Sequence, residues 1–175
     1  MYHKKERIVK KRQIFLVILA VVLVLGIVGC NSDSKDGLPK SKGKLIVTDI
    51  PASLNNTYIF MTGVLGANEY GIVGLTDLEG TTNNPTFVLP KISGGKVTIP
   101  LYAMNPGAKT LSDLFDAYSG NDTTELGFVV FNKQKLALNE AASMTGMMAI
   151  GMMDGAKFTN GNLTKKWTEF FVLGL

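Results

Sequence analysis

The hydrophobic pattern of the 175-residue chain changes character three times. Ile14 to Gly29 is a run of 16 residues with no charged or polar side chain, preceded by a basic stretch and followed directly by Cys30. Asn31 to Lys44 (NSDSKDGLPKSKGK) then offers almost nothing to bury. From Lys44 onward, apolar segments of strand length alternate with Gly, Asn and Pro, the punctuation of a chain that turns often.

Lys44 to Ile50 (KLIVTDI), stopped by Pro51, reads as a first strand, and Tyr58 to Val64 (YIFMTGV) as a second. Ile72 to Leu75 gives a short third, while Leu78 to Thr86 reads as loop by composition. Phe87 to Ile92 and Lys96 to Tyr102 flank Ser93-Gly94-Gly95 as a hairpin, with Pro90 and Pro100 marking edges or bulges. Leu111, Leu114, Phe115 and Tyr118 fall at i, i+3, i+4 and i+7. With Thr110 as cap, Asp113 in the first turn and Gly120 beyond, they predict a short helix. Thr124 to Asn132 (TELGFVVFN) puts Leu126, Phe128 and Val130 on one face and Val129 and Phe131 on the other, as a central strand does. Asn160-Gly161 predicts a type I′ hairpin turn, and Phe170 to Leu175 (FFVLGL) closes the chain as an apolar strand. The expected fold is all-β: one β-sandwich-like domain with one short helix over residues 44–175.

Ile27-Val28-Gly29-Cys30, at the end of the apolar run, resembles the lipobox of bacterial lipoprotein precursors. A basic n-region, an apolar h-region and a small residue before the cut are the secretory pattern. The resemblance implies that residues 1–29 are a signal peptide, that Cys30 carries lipid, and that residues 30–43 are a flexible tether. The alternative is an uncleaved anchor, but as a helix the run would span about 24 Å, short of a hydrocarbon core of about 30 Å. Asn31 and Ser32, rather than an Asp, follow the Cys and favour onward export to an outer membrane or the cell surface. The expected location is thus the cell envelope, with the bilayer as a partner through Cys30 and no cofactor beyond the covalent lipid.

Composition changes meaning once the label is set aside. Lys4, Lys5, Arg7, Lys10, Lys11 and Arg12 against Glu6 account for the basic balance. After Cys30, twelve Lys face thirteen acids and no Arg remains. Nucleic-acid binding, which needs a basic patch against phosphates, is not expected. His3 is the only His and Cys30 the only Cys. The mature part therefore has no imidazole base, thiol nucleophile or disulfide, which excludes Ser-His-Asp, Cys-His and His/Cys zinc chemistry there.

Met144, Met147, Met148, Met152 and Met153 crowd into ten residues, with Gly146, Gly151 and Gly155 interrupting any helix. Three readings stay open for Asn139 to Asp154: a mobile partner- or membrane-contact loop, plain packing, or a thioether site for Cu(I). The contact loop is the expectation carried forward, with no metal site. Asp77 and Glu79 match no standard calcium loop and read as a solvated turn. Asp113 and Asp116 read as helix-start acids rather than an acid/base pair. Tyr58, Tyr70, Tyr102 and Trp167 are candidates for a sugar-stacking platform, against the commoner reading of strand aromatics as core. The Asn-x-Thr triplets at Asn55, Asn121 and Asn162 should stay unmodified in a bacterial lipoprotein.

Gly43-Lys44-Leu45-Ile46-Val47 with Pro51, Gly95 to Leu101 (GKVTIPL), Gly120-Asn121-Asp122, Val130-Phe131-Asn132 and Phe158-Thr159-Asn160-Gly161 carry a second resemblance. Together they are similar to a β-rich module of uncharacterised lipoproteins of spirochaete-like bacteria, from which Asn139 to Asp154 departs. That resemblance implies fold and location and brings no catalytic residue. The expected function is a non-enzymatic envelope binding or adhesion module with a protein or glycan ligand. A structural subunit that assembles by donating Phe170 to Leu175 to a neighbour is the alternative, and a carboxylate-based hydrolase the further one.

Overall fold

Leu45 and Val47 are fully buried while Lys44 of the same strand is exposed, so the first strand already has an inner and an outer face. The computed structural model describes residues 37–65, 71–105, 107–121 and 123–173. The proposed signal peptide, Cys30 and the first part of the tether lie outside the described residues. In chain order the elements are β1 (Gly43–Thr48), β2 (Tyr58–Leu65), β3 (Gly71–Gly74), β4 (Asp77–Thr81), β5 (Asn84–Val88) and β6 (Val97–Met104). Then come β7 (Phe115–Ala117), β8 (Thr123–Phe131), β9 (Lys135–Ala137), α1 (Leu138–Ser143), β10 (Met147–Lys157), β11 (Asn162–Lys166) and β12 (Phe171–Leu173). The fold is all-β and sandwich-like, as expected.

A nine-stranded sheet runs β11-β1-β6-β3-β2-β8-β10-β12, with β7 beside β6, and a three-stranded sheet runs β4-β5-β9. Its neighbours pair antiparallel except β1 with β11, which are parallel. The two end strands, β11 and β12, are joined by only the four residues from Trp167 to Phe170. The five steps from Lys166 to Phe171 span at most about 18 Å, so the large sheet curls until its ends come close. Inside the curl lies one core, including Leu45, Ile59, Leu126, Phe128, Val130 and Trp167. The small sheet, α1 and the 107–114 segment cover part of the outer face and enclose a second core, including Phe60, Phe87, Val129, Phe131 and Leu136. Strand β8 serves both cores, with the two faces divided as its alternation requires.

The structure corrects the sequence reading at several places. Leu111 to Tyr118 is not a helix: i→i−3 turns at Asp113 and Leu114 lead into β7. All four helical-spaced residues are buried, but Leu111, Leu114 and Phe115 enter the outer core while Tyr118 enters the inner one. One helix face cannot serve two cores. The Thr110 hydroxyl meets the Ser112 hydroxyl at 2.9 Å instead of capping a helix. Among the described residues the α-helix that forms is α1, in the Met-rich segment; its N-terminal turn is held by Glu140, whose carboxylate accepts the Ala137 N–H at 3.0 Å.

Leu78 to Thr86, read as loop, is the β4–β5 hairpin; Leu78, Pro85 and Phe87 are buried beneath a Gly/Asn/Thr-rich composition. At Ser93 the turn is tighter than expected, with Gly94 and Gly95 at φ 60° and 69° between mutually bonded Ser93 and Lys96. The segments on either side part company: β5 joins the small sheet, and β6 is internal to the large one. Pro100 is tolerated there because β3 pairs only as far as Leu101. Asn160 and Gly161, at φ 52° and 75°, form the expected turn, with Thr159 and Asn162 mutually bonded. Its exit strand β11 then pairs with β1 rather than folding back on β10. The tether ends early too, since Leu38 already packs against the outer core.

Candidate interaction surface

Strand β10 pairs with β8 from Met147 to Lys157, with bulges between Met147 and Ala149 and between Met153 and Ala156. The expected mobile loop over Asn139 to Asp154 is therefore a helix, a turn and a strand. Its glycines have separate reasons. A Cβ on Gly151 would lie 2.1 Å from the Phe128 ring, so this position must be bare for β10 to sit on β8. Gly146 (φ 79°) turns the chain from α1 into β10, and Gly155 (φ 68°) lies in the second bulge.

The five clustered methionines separate by environment. Met153 joins the inner core and Met152, 8% exposed, lies opposite Phe171 of β12. Adjacent strand residues face opposite sides, so the five thioethers do not converge on one metal. Met144 is half-buried against the outer core and caps α1 in the left-handed region at φ 54°. Met147 and Met148 are 44% and 40% exposed. Met147 lies opposite Phe131, an outer-core residue, and Met148 occupies the bulge beside it.

Strand β12 extends the same surface. Leu173 lies opposite Ile150 and Phe171 opposite Met152, so their side chains share the outer face. The outer core reaches Ile150, whereas Phe171 and Leu173 are 46% and 47% exposed. Among the described residues, every exposed large apolar side chain belongs to this one edge: Met147, Met148, Phe171 and Leu173. Phe170, one residue earlier, points inward and stacks edge-on against Phe128 at 5.1 Å. The sequence singles out Met147 and Met148, and includes Phe171 and Leu173 only within Phe170 to Leu175 as a strand that could be donated to a neighbour. Their alternation with half-buried Val172 in an end strand is the signal that marks them.

The opposite end of the sheet is built differently. Strand β11 carries Lys165, paired with Glu169 at 2.9 Å, and Lys166, 3.5 Å from Asp49. Lysines on an end strand discourage pairing with another chain. Strand β12 has no charged residue.

The other candidates do not assemble. Tyr102 and Trp167 are buried in different cores, Tyr58 is half-buried, and Tyr70 lies outside the described residues, so no aromatic platform forms from them. Burial, with Asp77 nearby, pushes the Tyr102 phenol up from its ordinary value. Glu79 pairs with Lys135 at 2.8 Å, and Asp77 accepts the Leu78 N–H at 2.8 Å. Asp113 and Asp116 are exposed. Among the described residues, no group of three or more His, Cys, Asp or Glu is placed to hold a metal ion, and no helix is long and apolar enough to cross a membrane. Comparison with protein families, curated proteins and solved structures finds no match in any of the three.

Proposed function

We propose that this chain is a lipid-anchored, non-enzymatic binding module of the cell envelope, held through Cys30 and presenting the β10–β12 edge to a protein partner. The observation that carries the reading is the gathering of all the exposed large apolar side chains of the described residues on that edge. Apolar patches that persist on a folded surface mark contact sites. A protein partner suits the edge better than a glycan, because the tyrosines and tryptophan that would stack on sugars are largely spent in the cores. It also suits the edge better than lipid, since an end strand carries backbone donors and acceptors that hydrocarbon cannot satisfy.

The anchor rests on the lipobox at Ile27-Val28-Gly29-Cys30. Mass spectrometry of the native N-terminal peptide tests it: a lipidated Cys30 is expected, and an intact Ile14 to Gly29 in membrane-extracted protein overturns it. The contact surface is tested by a photo-crosslinking side chain placed at Met148 or Phe171, compared with one at Lys44, in intact envelopes. Adducts at the first two positions and not at Lys44 are expected; equal yields at all three would sink the assignment. A second reading, assembly by strand addition, draws on the uncharged end strand. Since β12 pairs with β10 of its own chain, such assembly would add a neighbour's strand to β12 rather than donate it.

A further inference from the structure

We propose that Met147 and Met148 form an oxidation-sensitive pair through which peroxide or hypohalous acid switches the β10–β12 edge from apolar to polar; the switch rests on that edge being the contact surface. The described chain sorts its thioethers sharply. Met61 is fully buried, Met104, Met152 and Met153 are 5%, 8% and 9% exposed, and Met144 is half-buried. Among the described residues, Met147 and Met148 are the methionines most open to a dissolved oxidant, at 44% and 40% exposed. With hydrogen peroxide the O–O bond breaks and one oxygen transfers to sulfur. The thioether loses two electrons and becomes a sulfoxide, while the remaining oxygen leaves as water. A flexible apolar side chain thereby becomes a polar one, and methionine sulfoxide reductases can reverse the change.

The placement confines the damage. Met148 is the extra residue of a bulge and Met147 sits at the start of β10, so neither fills a core. Two sulfoxides there would alter half of the four-residue apolar set while leaving both cores intact. Oxidation of Met152 or Met153 would instead push a polar group into the packed interior.

The test treats full-length protein in native envelopes with limiting hydrogen peroxide and reads both peptide masses and crosslinking from Phe171. Met147 and Met148 should gain oxygen about tenfold faster than Met152 and Met153, and adducts from Phe171 should fall in step. Met147→Leu with Met148→Leu should lose the response to peroxide, its adducts from Phe171 staying level before and after oxidant. Met147→Gln with Met148→Gln should crosslink weakly without any oxidant. Equal oxidation of buried and exposed methionines, or undiminished adducts after oxidation, overturns the proposal. If Phe171 gives no adducts before oxidation, the contact reading fails and the switch with it. Site-selective oxidation is then judged on the masses alone.

Discussion

Two methionines five positions apart, Met148 and Met153, belong to different worlds: one faces solvent from a bulge and the other sits in the inner core. Replacing Met147 and Met148 together by Ser should change unfolding free energy by no more than about 0.5 kcal/mol, the range of ordinary surface changes. Met153→Ala should cost about 2–5 kcal/mol, as buried truncations do. Urea unfolding of the three chains side by side decides it, and equal losses would refute the division. Gly151→Ala should also be costly, at about 1–3 kcal/mol or more, because its methyl would collide with a Phe128 ring already packed on Trp167 at 4.9 Å and on Phe170 at 5.1 Å. The cluster was visible in the sequence, but its division was not. Two bulges break the period of two in β10, and Gly151 looks like a helix or strand breaker until Phe128 is placed against it.

Short elements here are held by carboxylates at their starts. The Glu140 carboxyl lies below the usual carboxylate range because Lys133 donates to it, helped by the Ala137 N–H. The Glu169 carboxyl is lowered first by the Lys166 N–H and then by Lys165, and it holds the turn from Trp167 to Glu169 between β11 and β12. A depressed carboxylate contributes stability above its unfolded pKa and loses it as pH falls through the lower folded value. The urea midpoint should therefore stay level from pH 7 to about 5 and fall below about pH 4.5. Glu140→Gln with Glu169→Gln should flatten that fall slightly, both groups being exposed; an unchanged pH profile would contradict the capping role.

At this scale the sequence was legible in its strands and turns and poor in their partners. β1, β2, β3 and β8 and the Asn160-Gly161 turn follow from alternation and turn chemistry. The helix at Leu111 to Tyr118 failed because buried positions at helical spacing served two separate cores. The parallel pairing of β1 with β11 joins residues over a hundred apart, and nothing local announces it.

The described residues form a curled nine-stranded sheet, backed by a three-stranded one, and the two end strands of the large sheet come together under unlike protection. Adding a charge where β12 has none, as in Phe171→Lys, should leave stability within about 1 kcal/mol while removing partner adducts from Met148. A fold collapse measured by loss of the urea transition would show that Phe171 is structural instead. The most direct test of the account is amide exchange, followed by mass spectrometry, on the anchored protein in native envelopes and on the same protein extracted in detergent. Peptides from the inner part of β10, Ile150 to Met153, should exchange slowly in both. Peptides covering Phe171 to Leu173 should be protected in the envelope and exchange faster after extraction, with β11 unchanged. Equal exchange of β12 in both settings would contradict the claim that this edge is where the molecule meets its partner.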